Sequence, residues 1–190
     1  MTETISLDLE QNFCIEEDAK LVLAARQNPG EFKQLYQKWM ARIFRYFYFR
    51  VGNVKDAEDL TSQVFLKVFE DLPRYRDRGC FSAWLFSIAH ARVVDYYRRG
   101  HREVPLSTLA PETVPDDLPA QSAYRDDIQH LLVMLQSLSM EEQELIRLRF
   151  AAELSYQEIG LILNRKQDAV RKSISRLLER MQSQWEAKNE

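Results

Sequence analysis

Arginines and aromatic side chains alternate along one segment of the chain, and this mixture is suited to binding an unpaired nucleic-acid strand. Between Arg74 and Arg102 the sequence has seven arginines, two aspartates and six aromatic residues. Stacking of a base on an aromatic ring is worth about 1 to 3 kcal/mol, and arginines follow the phosphate backbone. We expect the following residues to contact such a strand: Arg74, Tyr75, Arg76, Arg78, Trp84, Arg92, Tyr96, Tyr97, Arg98 and Arg99. A structural role in the protein core would explain the presence of Trp84 equally well.

A short helix, a tight turn and a second helix are predicted near the carboxyl terminus. Ser155 and Glu158 have the spacing of a capping box, which fixes a helix start at Ser155. Asn164 tolerates the left-handed conformation that a helix end requires, and a new helix is expected over about Gln167–Met181. This arrangement is that of a helix-turn-helix, whose second helix enters the major groove of duplex DNA.

The second of these helices is predicted to have an apolar face and a basic face. At 100° per residue, Ile174, Leu177, Leu178 and Met181 fall within roughly 80° of Val170. A solvated amphipathic helix would show the same charges, but the capped helix and the tight turn before it favour DNA binding. The expected contacts to duplex DNA are Arg165, Lys166, Asp168, Arg171, Lys172, Ser175 and Arg176.

An acidic, proline-rich segment separates the two basic regions. The net charge is −3, yet residues 103–127 contain six acidic residues, four of the six prolines and a single basic residue, Arg125. A polyanion should therefore meet the two ends of the chain and avoid its middle. We predict a flexible acidic linker at 102–127.

Helix breakers are rare elsewhere, which predicts an all-α fold. We expect a flexible leader at 1–15, one small helical domain at 16–101 and a second at 128–190, joined by the linker. The first predicted helix of this domain begins at Glu16 and ends before Asn28. The next three are expected to span Phe32–Val51, Val54–Asp71 and Ser82–Arg99. The second domain should start with a helix over Ile128–Leu138, followed by another that opens with a capping box at Ser139 and Glu142.

Composition argues against several other classes of protein. The three histidines and two cysteines have no metal-ligand spacing, and no nucleophile motif or phosphate-binding glycine loop is present, so we expect no catalytic site, no metal and no cofactor. Cys14 and Cys80 stand far apart, which favours inert thiols in a reducing cytoplasm over a redox switch. No apolar run approaches the roughly 20 residues that span a bilayer, so we expect no direct membrane insertion.

Two sets of motifs resemble the extracytoplasmic-function (ECF) group of bacterial sigma factors. The first set is similar to their second conserved region and comprises Asp56-Ala57-Glu58-Asp59-Leu60-Thr61, Val64-Phe65-Leu66, Phe81-Ser82-Ala83-Trp84-Leu85-Phe86-Ser87-Ile88-Ala89, Asp95 and Arg98-Arg99. The second set is similar to their fourth region and comprises Leu148-Arg149-Phe150, Leu154-Ser155-Tyr156-Gln157-Glu158-Ile159-Gly160 and Val170-Arg171-Lys172-Ser173-Ile174-Ser175-Arg176. The resemblance extends over about residues 19–181, with the linker in the matching place.

This resemblance implies a promoter-specificity subunit of bacterial RNA polymerase without catalytic residues. The first domain would bind the clamp helices of the largest polymerase subunit through Asp56, Glu58, Asp59, Ser62 and Gln63 and would capture the melted minus-10 strand. The last helix would recognise the minus-35 element as duplex, and the acidic linker would thread through the polymerase cleft. The implied partners are core RNA polymerase, including the flap of its second-largest subunit, promoter DNA and an anti-sigma factor, and the implied location is the cytoplasm, at the nucleoid.

The chain departs from the family pattern at four places. Ser62-Gln63 stands where Gln-Glu is usual, and His90-Ala91 stands where Arg-Asn is common, which places His90 near the expected melted strand. The helix-turn-helix turn is Asn164-Arg165-Lys166 in place of Gly, an aliphatic residue and Ser, which adds two cations near the phosphates. Of the aromatic pair with which primary sigma factors melt DNA, only Trp84 is matched.

Two other functional classes remain compatible with parts of the sequence. A classical helix-turn-helix regulator would share the carboxyl-terminal pattern and bind duplex DNA without polymerase, but it would leave the basic and aromatic segment of the first domain unexplained. A helical adaptor that binds only proteins would show neither DNA affinity nor salt dependence.

Overall fold

The computed structural model describes residues 17–76, 80–100, 130–135 and 137–189. The predicted leader at 1–15, the predicted linker at 102–127 and Arg78 lie outside these residues. Within the described ranges, every regular element is helical. The all-α fold class expected from the sequence is confirmed.

Four helices form what we call the amino-terminal half, the described residues from 17 to 100. They are α1 at 17–27, α2 at Phe32–Val51, α3 at Val54–Asp71 and α4 at Phe81–Arg98. Gly52 ends α2 in the left-handed conformation, with φ at 81°, and the Asn53 side chain then caps α3 by accepting a hydrogen bond from the Asp56 backbone N–H. One glycine and one asparagine therefore reverse the chain between two long helices.

Aromatic residues fill the core of this half. Trp39, Ile43 and Phe47 follow one face of α2 and are buried, as the spacing of apolar residues predicts. The Phe86 ring of α4 lies edge-on to Trp39, with ring centroids 6.3 Å apart. The resulting packing fixes α4, and with it the expected strand-binding residues, against α2.

Four more helices form the carboxyl-terminal half, the described residues from 130 to 189. They are α5 at 130–135, α6 at Met140–Ile146, α7 at Tyr156–Leu163 and α8 at Gln167–Asn189, with a π-helical turn at Arg147–Ala151 after α6. Both predicted capping boxes are present, Ser139 with Glu142 and Ser155 with Glu158. Capping by a serine hydroxyl stabilises a helix start by about 1 kcal/mol.

Two details of α8 differ from the prediction. The helix continues past Met181 to Asn189, because the residues that follow are helix formers with no glycine or proline among them. Leu178, which was expected on the apolar face, is 41% exposed. It stands at the edge of that face, about 80° from Val170, and is therefore nearer to solvent than the residues at its centre.

The two halves pack against each other. Buried apolar residues of α6 to α8, among them Leu148, Leu154 and Ile159, belong to the same continuous cluster as the core of the amino-terminal half. Helix α7 lies along α4, and the π-helical turn lies along α2. The sequence predicts the two sets of helices, and the structure adds their mutual contact.

Candidate nucleic-acid interface

A cavity of about 450 Å³ opens beside Trp84, at the start of α4. Its lining comprises Arg74, Tyr75, Arg76, Cys80, Ala83, Trp84, Ser87 and Leu161. Arg74 and Arg76 are exposed at this cavity, whereas Trp84 is half-buried in its wall. Two cations and an indole ring are thus brought together as binding of an unpaired base requires.

The ring of Tyr75 packs against the ring of Trp84. The Tyr75 ring is buried, and its centroid lies 4.5 Å from the Trp84 ring and 5.7 Å from the Phe81 ring. Tilted and edge-on aromatic contacts of this kind restrict the orientation of the rings. Tyr75, expected to contact the strand, therefore serves here as the support on which Trp84 rests.

A second cleft, of about 180 Å³, lies between α3 and α4. It is lined by Asp56, Asp59, Leu60, Gln63, Arg92, Asp95, Tyr96 and Arg99. Residues expected to bind polymerase and residues expected to bind the strand therefore share one cleft. The sequence did not predict this shared cleft, because its residues lie far apart in the chain and come together only when α3 and α4 pack against each other.

The two tyrosines at the end of α4 have hydrogen-bond partners within the protein. The Tyr96 hydroxyl donates to Asp56 Oδ2 at 2.6 Å, and the Tyr97 hydroxyl donates to the Arg50 carbonyl at 2.5 Å. Burial and the neighbouring Asp56 carboxylate raise the pKa of Tyr96. Both side chains are half-buried, so only part of each ring is accessible to a strand.

The arginines at the end of α4 differ in their surroundings. Arg98 is exposed and pairs with Asp95 at 2.9 Å, and Arg99 is exposed at the α3–α4 cleft. Arg92 is half-buried in the same cleft. These three cations lie on a different part of α4 from Trp84.

The exposed side of α3 presents most of the residues expected to bind polymerase. Glu58, Asp59, Ser62 and Gln63 are exposed. Asp56 is half-buried, because its carboxylate accepts hydrogen bonds from Asn53 at 2.6 Å and from Tyr96. Four of the five are therefore available to a partner protein.

His90 lies away from the Trp84 cavity, in a buried polar group between the two halves. We call Tyr46, Arg50, His90 and Glu144 the Glu144 cluster. Glu144 Oε1 accepts from the Tyr46 hydroxyl at 2.7 Å and lies 3.0 Å from His90 Nδ1, and Glu144 Oε2 accepts from Arg50 Nη1 at 2.8 Å. Burial works to raise the pKa of Glu144, but the bonds from His90, Arg50 and Tyr46 outweigh it and lower that pKa below its usual value.

Sequence reasoning missed this cluster. Glu144 lies 98, 94 and 54 positions from Tyr46, Arg50 and His90, so no local pattern contains all four. One signal was available: Tyr46 and Arg50 stand four residues apart among core aromatics of α2, and a charged residue in such a place requires a partner. Burial also raises the pKa of the Tyr46 hydroxyl, which keeps it protonated as a donor.

The helix-turn-helix is built as expected. Asn164 ends α7 in the left-handed conformation, with φ at 53°. The Arg165 N–H donates to the Gly160 carbonyl at 2.8 Å, and a Cβ at Gly160 would lie 2.6 Å from the Arg165 carbonyl oxygen. Only glycine fits there, since the turn passes directly over α7.

The outer face of α8 presents the expected basic residues. Asp168, Arg171, Lys172, Ser175 and Arg176 are all exposed, as is Lys166 in the turn. Arg171 pairs with Asp168 at 3.2 Å, and the Ser175 hydroxyl donates to Glu179 at 3.0 Å. These exposed pairs are weak and can exchange for contacts with DNA.

Arg165 is the exception among the turn cations. Its Nη1 lies 2.7 Å from Glu141 Oε1, and its Nη2 donates to the Ser173 hydroxyl at 2.7 Å. Arg165 therefore joins the turn to α6 and α8, while Lys166 points its charge toward solvent.

The described residues contain no group of three or more His, Cys, Asp or Glu residues that could hold a metal ion. None of the described helices is both long enough and apolar enough to cross a bilayer. Cys80 is half-buried, and burial raises the pKa of its thiol, so the reactive thiolate is disfavoured.

Comparison with known proteins identifies two family domains in the chain. The model for Sigma-70 region 2 matches residues 35–103, and the model for Sigma-70, region 4 matches residues 134–183. The chain is 30% identical over 159 residues to the ECF RNA polymerase sigma factor BldN of Streptomyces coelicolor, an alignment that covers 78% of this chain and 59% of that protein. It is 30% identical over 175 residues to the ECF RNA polymerase sigma factor SigD of Mycobacterium tuberculosis, covering 88% of this chain and 82% of that one.

A solved structure agrees in fold. The chain superposes on CnrH, determined in complex with the cytosolic domain of CnrY, with a TM-score of 0.57 and 22% identity, covering 88% of this chain and 96% of that one. The matches to both sigma-70 regions, the length of the SigD alignment and the helix-turn-helix geometry all indicate the same family. Sigma factors are initiation factors and not enzymes, and the chain belongs to their sigma-70 family, in the ECF group of RNA polymerase sigma factors.

Proposed function

We propose that this chain binds core RNA polymerase, directs it to specific promoters and promotes melting of the promoter DNA. One observation supports this above all: a cationic, aromatic cavity for an unpaired base and a capped helix-turn-helix with a basic outer face occur on the same chain. A protein that bound only duplex DNA would have no use for the cavity. A protein that bound only other proteins would have no use for either.

The cavity beside Trp84 is the proposed site for a flipped base of the minus-10 strand. Its volume of about 450 Å³ falls within the range of small-ligand pockets. A base entering it would stack on the Trp84 ring, while Arg74 and Arg76 at the rim bind the adjoining phosphates. Energy gained by stacking offsets the loss of base pairing, which favours strand separation.

We propose that the α3–α4 region contacts polymerase and also the part of the minus-10 strand that extends beyond the cavity. Glu58, Asp59, Ser62 and Gln63 would face the clamp helices of the largest subunit. Arg92, Arg98 and Arg99, on α4 and at its end, would follow the strand backbone, and Tyr96 would offer the accessible part of its ring. The neighbouring cleft joins the two functions, because Asp59 and Arg99 line the same space.

Helix α8 is the proposed reader of the minus-35 duplex. Arg171, Lys172, Ser175 and Arg176 occupy its exposed face, and Lys166 lies in the turn that approaches the phosphates. Arginine and lysine contacts to guanine edges supply specificity, whereas contacts to phosphate set the salt dependence.

The remaining parts of the proposal concern organisation and partners. We infer a region 2 domain at 16–101, an acidic linker at 102–127 and a region 4 domain at 128–190 that also contacts the flap of the second-largest polymerase subunit. Because CnrH has been determined with the cytosolic domain of CnrY, an anti-sigma factor is the proposed regulator here as well. We propose the cytoplasm, at the nucleoid, as the location, because promoter DNA is the proposed target.

The decisive experiment combines assembly with transcription. The chain is mixed with bacterial core polymerase and analysed by gel filtration, and the eluted complex transcribes a library of randomised promoters. Co-elution together with new start sites is the expected result, and enriched upstream and downstream elements would show what each domain recognises. Duplex binding without co-elution would overturn the proposal in favour of a classical regulator.

Matched variants assign the result to the two surfaces. Trp84→Ala should reduce opening of every promoter, and Lys172→Ala should reduce affinity for the upstream element. Glu186→Gln, an exposed change on α8 away from both surfaces, serves as the control and should leave both readouts unchanged. If Trp84→Ala and Glu186→Gln behaved alike, the cavity would not be the strand site.

A further inference from the structure

Asp56 is placed differently from the other four residues of α3 that are expected to bind polymerase. The other four are exposed, whereas Asp56 is half-buried. Its Oδ2 atom accepts one hydrogen bond from Asn53 Nδ2 and another from the Tyr96 hydroxyl, each at 2.6 Å. A carboxylate oxygen with two donors is already satisfied, so a partner protein would have to displace one of them to bind it.

The first turn of α3 fixes the position of this carboxylate. Asn53 is the N-cap of the helix, and its Oδ1 accepts from the Asp56 backbone N–H at 2.7 Å while its Nδ2 donates to the Asp56 side chain. Bonds in both directions between a capping residue and the third helical residue hold both side chains at the helix start. The acceptor for the Tyr96 hydroxyl is therefore set by the start of α3.

Tyr96 is the member of the pair that lies beside residues expected to bind DNA. Its side chain lines the α3–α4 cleft together with Arg92 and Arg99, two cations expected to follow the strand backbone. The Tyr97 ring lies edge-on to the Tyr96 ring, with centroids 5.3 Å apart and an angle of 77° between the rings. A ring held by a neighbour on one side and by its hydroxyl on the other loses little conformational entropy when a strand packs against it.

The bond between Tyr96 and Asp56 is of the stronger kind. It joins two helices across 40 positions of sequence, and its acceptor is a carboxylate, which binds a donor more tightly than a neutral oxygen does. Burial, and after it the bond to Asp56, raises the pKa of the Tyr96 hydroxyl, which keeps it protonated and able to donate. This pair is therefore a suitable device for holding a side chain in one orientation.

We propose that Asp56 is a positioning residue for the minus-10 strand, which holds the Tyr96 side chain at the α3–α4 cleft and does not itself contact polymerase. The inference rests on the proposed function and assigns a role within it. The polymerase surface of α3 then consists of the four exposed residues alone. Helix α3 supports both surfaces, because it carries those four residues and also the acceptor for Tyr96.

Variants of three residues separate positioning from helix capping. Asp56→Ala removes the acceptor, whereas Asp56→Asn keeps an oxygen in the same place. Tyr96→Phe removes the donor and keeps the ring, and Tyr96→Ala removes both. Asn53→Ala removes the capping bonds of α3 and leaves the acceptor for Tyr96, so it is the control for loss of the cap.

Asp59→Ala is the matched comparison for polymerase binding. Asp59 is an exposed aspartate of the same helix, and it lines the same cleft as Asp56. Asp59→Ala should lower the affinity for core polymerase, whereas Asp56→Ala should keep that affinity within about twofold of the wild type. Titration of the labelled full chain with core polymerase measures both.

Strand binding is measured on each variant in complex with core polymerase, by fluorescence anisotropy with forked DNA that has an unpaired minus-10 strand. Asp56→Ala and Tyr96→Phe should each lose about 3- to 10-fold in affinity, which corresponds to one hydrogen bond. The double variant should lose no more than the weaker single variant, because both changes remove the same bond. Asp56→Asn should stay within about twofold of the wild type, and Tyr96→Ala should lose at least as much as Tyr96→Phe.

Chemical denaturation of the free chain completes the comparison. Asn53→Ala should lower the unfolding free energy and leave the affinity for forked DNA unchanged, because loss of a cap does not remove the acceptor for Tyr96. A loss of strand affinity as large as that of Asp56→Ala would assign the effect to capping and overturn the positioning role.

Other results would also overturn the positioning role. They are additive losses for Asp56→Ala and Tyr96→Phe, wild-type strand affinity for Tyr96→Ala, and a loss of core affinity for Asp56→Ala as large as that for Asp59→Ala. Failure of the proposed function would look different, because the wild-type chain itself would then bind neither core polymerase nor, in its presence, forked DNA. That result would overturn both proposals, whereas additive losses in a functional complex would overturn the positioning role alone.

Discussion

The indole ring of Trp84 lies 4.5 Å from the ring of Tyr75 and is inclined to it by 37°. Tyr75 is buried and also contacts Phe81, so Trp84 is held in one orientation at the wall of the cavity. A pre-oriented ring loses little conformational entropy when a base stacks on it. This pair is therefore the structural basis of the proposed strand capture.

Replacing Trp84 should weaken strand capture without affecting duplex recognition. In complex with core polymerase, Trp84→Ala should lose about 5- to 150-fold in affinity for forked minus-10 DNA, because one stacked base is worth about 1 to 3 kcal/mol. Trp84→Phe keeps a ring and should retain most of the affinity. Fluorescence anisotropy measures both, and equal losses for Ala and Phe would argue against stacking.

The two adjacent cations of the turn should respond differently to neutralisation. Lys166 is exposed, so Lys166→Ala should reduce the slope of log affinity against log salt by about 0.9 for the minus-35 duplex. Arg165 is paired with Glu141 and Ser173, so Arg165→Ala should lower thermal stability and leave the salt slope unchanged. A reduced slope for Arg165→Ala would show instead that this side chain leaves its partners to bind phosphate.

Gly160 should tolerate no side chain. Gly160→Ala would place a Cβ 2.6 Å from the Arg165 carbonyl oxygen, and relief of that overlap must displace the turn. We expect a loss of about 1 to 3 kcal/mol in unfolding free energy, together with weaker minus-35 binding. Gly30→Ala is the matched control, since its Cβ would lie 3.3 Å from a side-chain atom of Asn28 and the loss should be smaller. Chemical denaturation monitored by circular dichroism tests the difference.

We expect Tyr97 to contribute more to the stability of the protein than to its affinity for DNA. Its hydroxyl donates to the Arg50 carbonyl, so Tyr97→Phe should destabilise the protein by about 1 kcal/mol. Affinity for forked DNA should change less than twofold, because the ring remains. If affinity fell strongly while stability did not, Tyr97 would belong to the strand site after all.

The pH dependence of stability should include a contribution from Glu142. Burial works to raise its pKa, but hydrogen bonds from the Ser139 backbone and from Arg180 outweigh this and lower the pKa. A lowered carboxyl pKa stabilises the fold above the unfolded value of about 4.3, and this contribution disappears as the pH falls through the lower folded value. Glu142→Gln should therefore melt below the wild type at pH 7 and approach it near pH 3. A constant difference across that range would contradict the assignment.

Local patterns were sufficient to predict the helices and the helix-turn-helix. Gly52 and Asn53 mark one helix boundary, and Ser155, Glu158 and Asn164 mark the capped helix and its end, because caps act within three or four residues. The family and the exposed basic face of α8 also followed from sequence, since amphipathic spacing predicts which residues of a helix face solvent.

Tertiary structure decided which residues meet. Tyr75 supports Trp84, Tyr96 binds Asp56, Arg165 binds Glu141, and His90 joins Glu144 across the contact between the halves. These partners lie 9 to 54 positions apart, beyond the three or four residues over which caps and turns act, and a charged or aromatic side chain has several possible partners until packing selects one. Sequence determined the elements and their outward faces through local backbone and solvation energies, whereas the assignment of roles depended on long-range contacts that only the folded chain forms.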